Sequence, residues 1–274
     1  MAAKKRTPRK PLVETALAPI AAEFGKESTG IGKKFAKGAR NIADAAVDAT
    51  KFVRAALFPL RVLIYGANKV EKRLILLVSE KLQTIPPDQR CVPPNAVLGP
   101  IVESARLRMD EPDFADMFAN LLATAMDRRT AIDAHPAFAR ILGEMVSDEA
   151  KILRHLDIVG HEALVDLESG AADGSASRTG LENLSMVAID AGATILGAAP
   201  VLIANLVRLG LVTAPIDEQL ADESRYVRLE QSPPLDVLRK YIVARGRRPI
   251  FRRRLIRPTP FGEAFLRACL PSQR

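Results

Sequence analysis

Three histidines and two cysteines limit the nucleophilic, proton-transfer and metal chemistry open to this 274-residue chain. His155 and His161 are six positions apart, and Cys91 and Cys269 are remote from both. No CxxC, HxxxH or HExxH spacing therefore sets two ligands on one turn or one helix face. Serine chemistry lacks a GxSxG elbow. Glu149 and Glu162 could join a histidine as an acid/base pair, but nothing in their spacing selects that pairing. His135 stands against Pro136, which holds it in extended backbone and can open the next helix. It reads as a cap or a packed joint.

"GKESTGIGKKF" (25–35) has two glycines at phosphate-loop separation, Gly25 and Gly30, but Ile31 fills the lysine position. Gly32-Lys33 would need a glycine where Glu27 stands, and no strand precedes the stretch. No catalytic, metal or cofactor-binding residue follows from these patterns, and a non-enzymatic role is expected.

The charge pattern says more. Arg239, Lys240, Arg245, Arg247, Arg248, Arg252, Arg253, Arg254 and Arg257 lie between Asp236 and Glu263 with no acid among them. Such a cluster can neutralise several phosphates as a nucleic-acid or anion-binding surface, and a solvated charged face explains it equally well. Base reading is poorly served: "PVLIANLVRLG" offers mainly Asn205 and Arg208 to a groove, and "DEQLADE" (217–223) repels phosphate.

These residues must be carried by helices for the most part. Alanine, leucine and arginine are abundant, aromatic content is 5%, and tryptophan is absent; this balance favours helix over strand. Hydrophobic content of 48% with 26% charged residues suits a globular chain, and the net charge of +8 permits an anionic partner without establishing one. The clearest helix is "EPDFADMFANLLATAMDRR", where Phe114, Met117, Phe118, Leu121, Leu122 and Ala125 form a stripe at helical spacing. Val70, Leu74, Leu77, Val78 and Leu82 mark another, stopped by the prolines of "IPPDQRCVPPN". "NAVLGPIVESARLRM" and "PAFARILGEM" give two more, and Ser147 reads as the cap of "SDEAKILRHLD".

Beyond a small, polar 168–180 loop the pattern changes. "PVLIANLVRLGLVTAP" is a helix closed by Gly210 and followed by a strand. "YVRLE" and "RRLIRPT" read as strands around a helix at 233–243, and "TPFGEAFLRAC" is a helix with Thr259 as cap and Pro260 first. This order is similar to a winged helix-turn-helix.

No stretch is long and apolar enough to span a bilayer. "AGATILGAAPVLIA" has 14 residues, and "FVRAALFPLRVLIYGA" is broken by Arg54 and Arg61. The 33–64 stretch is amphipathic and basic, suited to packing on a partner helix or lying on an anionic membrane. The far-separated cysteines suggest a reducing, cytoplasmic setting, with contact at the inner-membrane surface left open.

Four pieces then stand together in order: "PPNAVLGPIVESA", "DMFANLLATAMD", "HPAF" and "SDEAKIL", followed by "LVRLGLV" and "TPFGEAFLRAC". Over about residues 57–270 the chain resembles the Abi-alpha family, a bacterial domain family linked with abortive infection. The resemblance implies antiviral defence against phage, with the host cell sacrificed or arrested, and carries no catalytic residue onto this chain; a protein partner or a phage component is expected. The expected organisation is a flexible basic tail (1–32), an amphipathic helical arm (33–65), a helical bundle core (66–146) and a winged-helix-like part with a small antiparallel β-ribbon (147–274).

Overall fold

The computed structural model describes residues 48–58, 68–171, 177–194 and 198–270; the 1–32 tail and most of the 33–65 arm lie outside these. The described residues are mainly helical, with one four-stranded antiparallel sheet. They fall into two compact units, one ending at Gly143 and the other beginning at Glu144.

The first unit holds α1 (Ala49–Leu57), α2 (Asn68–Leu82), α3 (Asn95–Arg108), α4 (Pro112–Met126) and α5 (Ala137–Glu144). Helix α4 is its centre. Phe114, Met117, Phe118, Leu121 and Leu122 are fully buried, each contributing about 1.5–3 kcal/mol of transfer free energy. Its back is covered too, through Ala115, Ala119 and Ala123, as α2 and α3 both pack on it. Lys81 on α2 reaches Asp116 on α4 at 2.6 Å. The proline-rich stop after α2 is closed by Arg90, whose guanidinium donates to the carbonyls of Leu82 (2.9 Å) and Ile85 (3.1 Å). The Leu82 carbonyl, at the helix end, also accepts the Ile85 N–H at 3.1 Å, so Arg90 adds a second donor there and ties the turn to the helix. In the described part of the amphipathic arm, α1 buries Phe52, Val53, Ala56 and Leu57 and packs on α2. That stretch turns its apolar side to the protein. Among the described residues no helix is long and apolar enough to cross a membrane.

The second unit runs α6 (Ser147–Val159), β1 (Glu162–Gly170), β2 (Ser177–Leu184), α7 (Val187–Asp190), α8 (Ala199–Arg208), β3 (Val212–Thr213), α9 (Glu223–Glu230), α10 (Pro233–Ala244), β4 (Arg248–Pro258) and α11 (Pro260–Cys269). The sheet order is β2-β1-β4-β3. β1 pairs with β4 over its full length, from Glu162 opposite Ile256 to Gly170 opposite Arg248, and the last two residues of β4 pair with β3. One face of this pair carries Ala163, Val165 and Leu255 into a core with Tyr226, Leu229 and Leu235.

Three local expectations change. Residues 168–180 contain strand at both ends, because β1 continues to Gly170 and β2 begins at Ser177. "YVRLE" is helical, in α9: Tyr226 and Leu229, three apart, share the buried face, and Asp222 caps the helix by accepting the Ser224 N–H at 3.0 Å. Ser147 is the first helical residue of α6 rather than its cap. Val146 occupies the cap position, where its N–H donates to Glu149 Oε2 at 2.9 Å.

The end of α8 and the start of α11 form one joint. Gly210 adopts a positive φ of 72°, and the Leu211 N–H returns to the Leu206 carbonyl at 3.0 Å. Thr259 then bridges the two helices. Its N–H donates to Leu211 O, its hydroxyl to Gly210 O (2.6 Å), and the same hydroxyl accepts the Gly262 N–H (2.9 Å). A Cβ on Gly262 would sit 1.9 Å from the Leu211 carbonyl oxygen. The Thr-Pro-x-Gly sequence is thus a docking device: threonine holds the turn and glycine lets the backbones touch.

Candidate functional site

The nine basic residues gather on α10, the turn after it and β4; six of them meet acids, four of these with acids that the linear sequence keeps far away. Asp236, one turn earlier on α10, pairs with Arg239 and, at 2.7 Å, with Lys240; these cations hold its carboxyl below the usual range. Along β4, Arg252 and Arg254 share a face with the acids of β1. Arg252 contacts Glu168, and Arg254 meets Asp166 at 2.7 Å. Arg253, on the opposite face, pairs with Glu230 of α9 at 2.8 Å and lies over the Tyr226 ring. Arg257 reaches Glu218 at 2.9 Å, so the 217–223 acidic loop supplies counter-charge to this strand.

An acid-free run in sequence therefore becomes a ladder of opposite charges across two strands and a helix. A cation already held by a buried carboxylate has less to gain from a phosphate. Among the described residues, no carboxylate pairs with Arg245, Arg247 or Arg248. Arg245 instead lies over the Tyr241 ring at 3.8 Å. Arg247 donates from Nε to Ser169 Oγ (2.6 Å) and from Nη2 to Ser169 O (2.7 Å).

Those two arginines edge a groove of about 380 Å³ between the β1–β2 hairpin and α10. Leu167 and Leu181 line it from the hairpin, and Leu238, Tyr241 and Ile242 from the helix. Gly180 permits the hairpin wall to close in, since a Cβ there would meet the Leu167 carbonyl oxygen at 2.8 Å. Beside the groove α10 exposes Val237 (66%) and Tyr241 (54%).

A second cavity, of about 360 Å³, lies among α6, β1 and α9 and is polar. Glu162 Oε1 is 3.0 Å from His155 Nε2 and 2.5 Å from an Arg225 nitrogen. At its edge Arg228 forms a two-pronged pair with Asp190, at 2.6 and 2.8 Å. The histidine–glutamate pair is invisible to motif spacing, because a strand start and a helix end bring the two together. Among the described residues no group of three or more His, Cys, Asp or Glu side chains is arranged to hold a metal ion.

The other residues with chemical potential take structural places. His135 Nδ1 accepts the Ala137 N–H at 3.1 Å at the start of α5, and its ring lies 5.7 Å from Phe138. Burial pushes the Cys91 thiol up, and that of fully buried Cys269 much further, away from the thiolate that nucleophilic chemistry needs. Glu149 is pushed up by burial while accepting from Val146 N–H and, at 2.7 Å, from Asn205 Nδ2. Arg208 is held by Glu144 at 2.7 Å. The two polar side chains that the sequence offered for groove reading are thus engaged within the unit.

A family profile described as abortive infection alpha matches residues 66–269. Among solved structures, an uncharacterized protein from the hydrocarbon-degrading marine bacterium Alcanivorax borkumensis SK2 is similar at 19% identity, over 52% of this chain and 94% of that one, with a TM-score of 0.36. No curated protein matches.

Proposed function

The chain belongs to the abortive infection alpha family, and from that membership we propose a phage-defence protein of the abortive-infection type that acts non-enzymatically, by binding a partner. One observation carries the partner-binding part: α10 presents exposed Val237 and Tyr241 next to Arg245 and Arg247, which no carboxylate of the described residues opposes. Exposed tyrosine and arginine around an apolar patch are what protein interfaces are enriched in. The partner that fits is a protein surface with acidic residues around an apolar centre.

The decisive experiment is a phage challenge of cells with and without the gene across a broad phage panel. Protection is expected from the wild-type gene, and equal plaque counts overturn the reading. Replacing Val237→Glu and Tyr241→Ser together should abolish protection while leaving the unfolding midpoint near wild type. His155→Ala should protect as well as wild type; loss of protection there, with the fold intact, points to chemistry in the polar cavity instead.

We infer in addition that α6, α8, the β3–β4 ribbon and α11 form a winged-helix-like arrangement. Its support is the Gly210 turn feeding β3 and the Thr259 joint that seats α11 behind it. In that arrangement α8 takes the recognition position, where its exposed side chains include Val201 and Val207. This favours a protein over a base edge.

A nucleic-acid regulator is the second reading, favoured by Arg245, Arg247 and Arg248. Three such contacts give a log–log salt slope of about −3, at about −0.9 per phosphate, whereas engagement of all nine cluster residues gives about −8.

A further inference from the structure

We propose that the groove between the β1–β2 hairpin and α10 is a binding site for a single small anionic amphiphile, an aliphatic chain ending in a carboxylate. The groove and its charge are observed independently of the defence reading. Its walls are mainly leucine, isoleucine and tyrosine, and among the described residues no acid lines it. The volume of about 380 Å³ falls at the small end of the range for small-molecule sites. At about 30 Å³ per water-sized group, it takes on the order of a dozen heavy atoms. That is a medium-length chain, far short of a two-chain phospholipid.

The charge is set at one end. Arg245 uses the face of its guanidinium against Tyr241 and keeps its N–H edge for an acceptor. Arg247 is oriented by two hydrogen bonds to Ser169 through Nε and Nη2, which leaves Nη1 to donate outward. Both arginines are therefore positioned before any ligand arrives, one by stacking and one by a two-point anchor. Such preorganisation lowers the ordering cost of binding. A carboxylate at this end takes charge-assisted hydrogen bonds while the chain displaces water from Leu167, Leu238 and Ile242. A cationic head placed there meets two like charges.

The test is calorimetric titration of the full chain with decanoate, decanol and decyltrimethylammonium, each below its micelle concentration. Decanoate is expected to bind one-to-one and at least tenfold tighter than decanol, with the cation weakest. The double replacement Arg245→Gln, Arg247→Gln should remove the advantage of decanoate and leave decanol within about twofold. A Leu238→Trp variant should weaken both ligands by filling the chain end of the groove. Equal binding of the three wild-type ligands, or decanoate binding untouched by the arginine changes, overturns the proposal. So does capture of the chain by phosphatidylglycerol vesicles without any binding of free decanoate. None of these outcomes depends on phage protection, so this proposal and the defence reading can fail separately.

Discussion

Arg254 Nη1 lies 2.7 Å from Asp166 Oδ2, joining β4 to β1 across 88 positions of sequence. Asp166 Oδ1 also accepts the N–H of Asn183, a residue with a positive φ of 59° in the irregular part of β2. Arg254 donates in addition to the carbonyls of Ala214 and Pro215. One ion pair therefore ties three strands and the segment after β3, and it is largely removed from water, at 12% exposure for each side chain.

Removing one member of such a pair leaves the other charged and desolvated. Arg254→Met is expected to cost about 3 kcal/mol in urea unfolding. The double variant Asp166→Asn, Arg254→Met should recover part of that loss, because no buried charge remains. Lys240→Met, at the exposed Asp236 pair, should cost under about 1 kcal/mol. Equal costs for Arg254 and Lys240 would refute the ladder as a structural element.

Gly262→Ala tests the joint between α8 and α11. The added methyl must displace the Leu211 backbone, which also closes the Gly210 turn. A loss of about 3 kcal/mol is expected from overpacking. Thr259→Ala, which removes a cap bond and a bridge bond, should cost about 1–2 kcal/mol. An alanine at 262 tolerated without loss would mean that the two backbones are not in contact.

Glu149 imposes a pH dependence of definite sign. Its folded value is raised by burial, so the native state holds its proton more tightly than the unfolded chain. Its contribution to stability is fully present below about pH 4.3 and is lost as pH rises through the raised folded value. The unfolding free energy of wild type minus that of Glu149→Gln should therefore fall from acid toward neutral pH. Parallel curves for the two proteins would exclude the effect.

Asp127 acts in the opposite direction in the first unit. Hydrogen bonds from the Arg129 side chain, at 2.6 and 2.9 Å, lower its carboxyl. Stability from this group is present above about pH 4 and is lost as pH falls through the lowered value. Asp127→Asn should lower the thermal midpoint at neutral pH, and the gap to wild type should close on strong acidification. A gap that stays constant with pH would mean that charge plays no part.

The local elements were readable without the fold. The stripe on α4, the glycine closing α8 and the threonine cap of α11 each depend on residues within one or two turns, so spacing alone specifies them. The family signature was readable for the same reason, since its pieces are helix starts and helix faces in a fixed order. Strand β1 was not. "EALVDLESG" is built largely from good helix formers, and its extended state depends on pairing with β4, 78 to 94 positions away. α9 departs in the other sense: its β-branched and aromatic residues suggest a strand, while the three-residue spacing of Tyr226 and Leu229 seats it on the core as a helix.

The candidate site divides the same way. Sequence alone determined which residues are basic and that Pro136 makes His135 a joint. Only the tertiary structure decided which of the nine basic residues keep charge to offer. Burial on β1 forces Asp166 and Glu168 to find partners, and the antiparallel register of β4 brings Arg254 and Arg252 to them. Arg245 and Arg247 lie outside that ladder, at the turn where α10 ends, and there they stay beside an apolar groove rather than against an acid.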